Sequence, residues 1–428
     1  MASFHFHNPS LAALQLGFPC RRAHVDAVAR LLDAHRTLAL RPLHTGLYPA
    51  SDSDAAHGAG YRSVWVRDNV YVALALLETG NPERAARVGD RLTQFLLASR
   101  RRFDDVISGR ADRGDVRARP HVRFDGERLV ELAGDWSHAQ NDALGYCLWL
   151  LARLARAGAL PLAQERLEVV DLLTRFFAAI AFWEDEDSGH WEETRKVSAS
   201  SIGVVVGGLR ASLDELQRLH TSGNRQHQPL IELTTRLLDE GSRALAAMLP
   251  DECIQPSPLQ NRRYDAALTF LAYPLGVLDG AAQTLVIEDV TRFLMGPIGI
   301  RRYLRDSYWA PDYERLSEAD RTRDYSNDVW VRDAMIEDVG QEAQWCIFDP
   351  ALSAYFGTRF AEGGNPSDRE RQLLHFNRSL AHITAEWKCP ELFYLSDGRW
   401  VPNPHTPLLW TQANLLLALQ VLRATSPG

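Results

Sequence analysis

Apolar residues recur at spacings of three and four in twelve separate stretches of this chain, the periodicity of a helix with one buried face. The first, His24 to Arg36, aligns Val25, Val28, Leu31 and Leu32 on one stripe. Others follow at about 67–79, 83–101, 137–157, 165–183, 198–219, 228–248, 264–273, 282–295, 341–358, 368–386 and 407–423. Gly80-Asn81-Pro82 separates the second from the third, and Ser198 stands where the sixth needs an N-cap.

The connections are uneven. Residues 101–135 are polar and rich in Arg, Asp and Gly, with a hairpin expected around Val122 to Val130. Residues 300–340 are long, irregular and rich in aromatics and Asp, and connections of that length in a compact domain are usually functional. No Pro/Ser/Gly linker or shift in composition divides the chain. We therefore expect one domain over 1–428, with residues 1–60 as an N-terminal helix and loop extension. Val-Trp-Val-Arg-Asp occurs at 64–68 and again at 329–333, but the flanking residues do not match, so the pair is no repeat. Twelve helices in one domain make six antiparallel pairs. Closed into a ring they form an all-α, double-layered (α/α)6 barrel, whereas an open solenoid would show a fixed period.

Composition removes several classes of function. Lys plus Arg is 47 against 55 Asp plus Glu, a net charge of −8, which disfavours nucleic acid and anionic membrane as partners. The 46% hydrophobic content, with 11 Trp, 12 Tyr and 16 Phe, is incompatible with global disorder. Five scattered cysteines without a CxxC pair read as reduced thiols. The chain start lacks a secretory pattern, and no apolar window approaches 18 residues, so a cytoplasmic protein is expected.

Four segments concentrate Trp beside charge: Trp65 to Asp68, Asp135 to Asp142, His190 to Glu193, and Cys389 to Tyr394 followed by Leu409-Trp410. Flat aromatic faces with carboxylates and Arg between them suit sugar rings, which present C–H faces to stack and hydroxyls to bond. Cleavage of a glycosidic bond further needs two carboxyls flanking it. Glu192 or Glu193, paired with Glu391, supplies that combination.

The ordered strings W-x-R-D, W-S-H-A-Q-N-D, W-E-E, R-R-Y-x-x-D, P-E-L and L-W resemble glycoside hydrolase family 15, the glucoamylases. WVRDNVY, WEE with ASSIG, RRYLRDSYW and PELFY look closest to the glucoamylase-like domain of phosphorylase kinase alpha and beta subunits and their bacterial relatives. The likeness runs over about 61–423. It implies an (α/α)6 barrel and inverting hydrolysis of α-glucosidic bonds from the non-reducing end, with no metal or cofactor. It makes Glu192 the general acid and Glu391 the general base. Arg67 and Asp68 would grip the terminal sugar, Trp65, Trp191 and Trp410 would wall it, and Trp136 would stack near the scissile bond. Arg302 and Asp306 would lie on the acceptor side, with Glu193 there or just behind.

An inverting pair sits about 6.5–9.5 Å apart to admit water. The acid must stay protonated near neutrality, through burial against Trp191 or another apolar wall, and Glu391 must ionise. Gln140 and Asp142 bind sugar, cap a helix or hold Arg67. His138 reads as structural, Cys346 and Cys389 as core thiols. Arg332 and Asp333 belong to the cavity rim or, preferably, to a surface helix start. The expected substrate is a short soluble α-glucoside or glucan end. The rival reading is a sugar-sensing or scaffold module of the phosphorylase kinase type, although no segment points to a protein partner.

Overall fold

The computed structural model describes residues 4–52, 60–134, 138–221 and 225–428. Twelve helices build two layers. In chain order they are α1 (Arg22–Ala34), α2 (Val66–Glu78), α3 (Pro82–Ala98), α4 (Asn141–Arg156), α5 (Glu165–Ile180), α6 (Ala199–Thr221), α7 (Gln228–Met248), α8 (Thr269–Ala272), α9 (Gly280–Asp289), α10 (Phe348–Gly363), α11 (Pro366–His382) and α12 (Leu409–Thr425). The even-numbered helices form an inner ring in which α2 packs on α4, α4 on α6, α6 on α8, α8 on α10, α10 on α12, and α12 back on α2. The ring closes. This is the (α/α)6 barrel.

Burial follows from sequence pattern. Helices apolar on nearly all sides become inner: every residue from Val66 to Leu76, and from Asn141 to Ala152, is buried. Helices with a single stripe become outer, as α3 does with Ala85, Val88, Leu92, Phe95 and Leu96. The inner contact between α4 and α6 is backbone-close. A Cβ on Gly145 would lie 2.9 Å from the Val205 backbone, and one on Gly208 would lie 2.5 Å from the Gly145 carbonyl oxygen. Outside the ring, α1 packs with α11 and α12 in a second apolar cluster around Val28, Leu32, Phe376 and Leu415.

The structure departs from the helical expectations in three places. The stretch 264–273 is only a 3₁₀ turn, Ala266–Leu268, followed by the single turn of α8. Asp265 is spent in a backbone bridge to Tyr303, and Pro274 stops propagation. The helix expected from 341 starts at Phe348, because Gln344–Trp345 pairs as a strand with Leu392–Ser396, which in turn pairs with Arg399–Pro402. The region 101–135 adds a helix, Arg100–Ile107, to its expected hairpin, whose strands Arg123–Asp125 and Val130–Glu131 join Val64–Trp65 in a second small sheet. No helix among the described residues is long and apolar enough to cross a membrane.

Candidate active site

One cavity of about 1100 Å³ opens where the inner helices begin. Trp65, Arg67 and Asp68 come from the start of α2, and Trp410 from the start of α12. Trp191, Glu192 and Glu193 come from the turn before α6, Trp345 from just before α10, and Glu391 from just before the strand Leu392–Ser396. Helix N-termini favour nearby negative charge, so a ring of them suits a cavity rich in carboxyls.

The two adjacent glutamates face different networks. Glu192 adopts a left-handed backbone, φ 60°, after the 3₁₀ turn Gly189–Trp191. Such a conformation costs a non-glycine residue about 1–3 kcal/mol, and it turns the Glu192 carboxyl into the cavity. There the Trp65 indole N–H donates to its Oε1 at 2.8 Å, and Arg67 Nη2 lies 3.5 Å from the same oxygen. Burial raises the Glu192 pKa, against the opposing pull of Arg67, the Trp65 N–H and Arg123. Glu193 instead accepts from Tyr303 Oη at 2.6 Å, Arg302 at 3.0 Å and Arg262 at 3.0 Å. Burial alone would raise its pKa, but Arg262, Arg302 and Lys196 outweigh burial and hold it at about 2.

Glu391 is buried and also lines the cavity. Tyr61 Oη donates to its Oε1 at 3.0 Å and Asn403 Nδ2 to its Oε2 at 2.5 Å. Burial pushes its pKa up to about 7 despite those two donors. Tyr61 and Trp65 lie with ring centroids 5.7 Å apart, so a phenol and an indole in contact bridge the two carboxyls. Asp68 is raised to about 7, mainly by burial, with Arg67 opposing.

Elsewhere on the cavity wall, Arg302 forms a fork with Asp306 at 2.6 and 2.7 Å and is walled by Trp191, Tyr308 and Trp345, whose centroids lie 4.9–5.2 Å from its Cζ. The Trp191 indole donates to Asp265 at 3.0 Å, and Arg262 joins Asp265 to Glu193. Arg67 stands over the Trp410 ring at 5.4 Å. Asp142 and Gln140 lie behind Arg67 rather than on the cavity wall, at 2.7 and 3.4 Å from its Nη1. Trp136 lies outside the described residues. His138 stacks on His121 away from the cavity, and Cys346 and Cys389 are buried thiols. The second Val-Trp-Val-Arg-Asp starts a short surface helix, Val329–Met335, capped by Asp328. Asp333 pairs there with Arg305 at 3.1 Å, and neither Arg332 nor Asp333 lines the cavity. No group of three His, Cys, Asp or Glu side chains arranged to hold a metal occurs among the described residues.

Tyr61, Asn403, Tyr308, Trp345, Arg262 and Asp265 are the site residues that local sequence reasoning misses. Tyr308 stood within the RRYLRDSYW string. Tyr61 and Asn403 carry no local signal, because their partner is remote in the chain.

With this geometry in place, comparison with known proteins decides the family. The family model described as Glycosyl hydrolases family 15 matches residues 23–239, half of the chain. The chain belongs to this family. The match to family 15 covers Arg67, Asp68, Glu192 and Glu193 and ends before Arg302 and Glu391. Among curated proteins, the alpha regulatory subunit of phosphorylase b kinase from Rattus norvegicus, skeletal muscle isoform, is 25% identical over 92% of this chain and 32% of its own length. A probable alpha regulatory subunit from Caenorhabditis elegans is 26% identical over 82% and 30%. The chain thus spans about a third of these relatives. Among solved structures, a glycosidase variant in complex with glucose superposes with a TM-score of 0.69 at 20% identity, covering 95% of this chain and 98% of the other. The Saccharomycopsis fibuligera glucoamylase gives 0.61 at 11% identity, covering 96% and 97%. At such identities the structures establish the family 15 fold alone.

Proposed function

We propose that the chain is an inverting glycoside hydrolase that removes glucose from the non-reducing end of a short soluble α-glucoside or glucan. The observation that carries this reading is that Glu192 and Glu391, remote in sequence, face one cavity from walls bridged by Trp65 and Tyr61. In the reaction, Glu192 gives its proton to the glycosidic oxygen as the C1–O bond breaks. Water attacks C1 from the opposite face, and its proton passes to ionised Glu391. Asp68 accepts from hydroxyls of the terminal sugar, and the Trp65 and Trp410 rings bound its faces. Arg302 and Asp306 hold the departing sugar. Glu193 serves them as a buried counter-charge.

A second reading is supported by the relatives named above, which are regulatory subunits: the domain binds a sugar and reports it without turnover. One experiment separates the two. The purified protein is followed by proton NMR with maltose, isomaltose, trehalose, maltotriose and soluble glycogen. Release of glucose by the wild type, lost in Glu192→Gln and in Glu391→Gln while sugar still binds, supports the hydrolase. Saturable sugar shifts without any release support the sensing module.

A further inference from the structure

Arg67 lines the cavity and also bridges it to buried groups behind. A guanidinium has five N–H groups. Here Nη1 serves Asp142 at 2.7 Å and Gln140 at 3.4 Å, Nη2 faces Glu192 at 3.5 Å, and Nε is buried with no acceptor among the described residues. Asp142 lies in the first turn of α4 and is wholly inaccessible to solvent. Its Oδ2 accepts from Arg67, while its Oδ1 has no hydrogen-bond partner among the described residues. The nearest other base, His190, is 3.8 Å away, beyond hydrogen-bond distance. Burial holds His190 neutral, with a pKa near 4, although Asp142 opposes. The charge of Asp142 is therefore answered by Arg67 and not by His190.

We propose that Asp142 is a positioning residue that acts on Glu192 through Arg67, whose guanidinium it holds across the carboxyl facing the cavity. A buried carboxylate that cannot reach the sugar is costly unless paired, and the pairing here fixes the guanidinium whose Nη2 lies 3.5 Å from Glu192. Among the groups that act on Glu192 are Arg67 and Asp68 from α2, the Trp65 indole, Arg123 from the strand beside it, and Asp142 from α4. Arg67, Arg123 and the indole N–H favour ionised Glu192. Asp68, Asp142 and burial favour the protonated form. Replacing Asp142 by its neutral isostere leaves Arg67 uncompensated, which draws Glu192 toward ionisation. Replacing Arg67 by lysine keeps a cation for Asp142 but withdraws the second arm from Glu192, which pushes the other way.

The test is a carbon-13 NMR titration of glutamate-labelled protein, with the Glu192 signal assigned by its loss in Glu192→Gln. In Asp142→Asn the midpoint falls by about half to one pH unit, a three- to tenfold change in the Glu192 ionisation constant. In Arg67→Lys it rises. Tyr146→Phe is the control, because it removes the hydroxyl that bonds His190 and Tyr71 in the same buried layer but leaves the Asp142–Arg67 pair intact. It leaves the midpoint in place. An unchanged midpoint in folded Asp142→Asn, or the same shift in Tyr146→Phe, overturns the proposal. Should Asp142→Asn not fold, Arg67→Lys decides alone: a raised midpoint supports the proposal and an unmoved one overturns it. The proposal rests on Glu192 as the proton donor, but the titration needs no turnover. A wild type without glycosidase activity would remove the catalytic reading and leave the Asp142–Arg67–Glu192 coupling to be judged by its own result.

Discussion

The Trp65 indole donates its N–H to Glu192 Oε1 at 2.8 Å. Trp65 also precedes the first turn of α2, so the helix start that presents Arg67 and Asp68 orients the Glu192 carboxyl as well. A donor to a carboxylate stabilises its ionised form. In Trp65→Phe the apolar wall largely remains and that donor is lost. We expect kcat/KM on the best sugar of the panel to fall about tenfold, the scale of one charge-assisted hydrogen bond, with little change in melting temperature.

Glu391 depends on Tyr61 in the same sense. Its pKa near 7 is the net of burial, which raises it, and the donors Asn403 and Tyr61, which lower it. The pH profile of kcat/KM should therefore have one limb with a midpoint near 7. Tyr61→Phe removes a donor to the ionised form, so this limb should move up by about half a pH unit. A limb that stays in place would separate Tyr61 from Glu391.

The same raised pKa has a stability cost. An acid whose pKa is higher in the folded than in the unfolded state penalises folding once it ionises. The penalty is absent below about pH 4.5, grows between there and pH 7, and is full above. Glu391→Gln escapes it. The variant should be inactive yet more stable than the wild type at pH 8, by about 1–3 kcal/mol, with the gain fading toward pH 4.5. Denaturant midpoints at the two pH values check this.

Glu193 behaves in the opposite way. Its pKa is depressed to about 2, so its contribution is present above the unfolded value near 4.5 and is lost as pH falls toward 2. Glu193→Gln leaves Arg262 and Arg302 buried with less counter-charge. We expect a loss of about 3 kcal/mol at pH 7, shrinking toward pH 3, by chemical denaturation.

The strongly periodic parts of the barrel were legible in sequence. The inner α4 and α6 are apolar nearly all round and the outer α3 on one stripe, and those patterns follow directly from burial. The failures have local causes that periodicity does not encode. Residues 264–273 look helical, but Asp265 is tied to Tyr303 and Pro274 follows, so α8 has a single turn. Residues 341–347 look helical until Gln344–Trp345 pairs with Leu392 and Phe393, far along the chain. Contiguous strings made Arg67, Asp68, Glu192 and Arg302 readable as cavity residues. Tyr61 and Asn403 were not readable, since each matters only through a contact with Glu391. Asp142 was ambiguous for the same reason: only the fold shows that Arg67 stands between it and the cavity.

The most direct test is the anomeric form of the first glucose released, read by proton NMR before mutarotation. Attack by water opposite the departing sugar inverts C1, so the wild type should release β-glucose first, and Glu192→Gln and Glu391→Gln should release almost none. Initial α-glucose would contradict the assignment of Glu192 as donor and Glu391 as base in an inverting reaction.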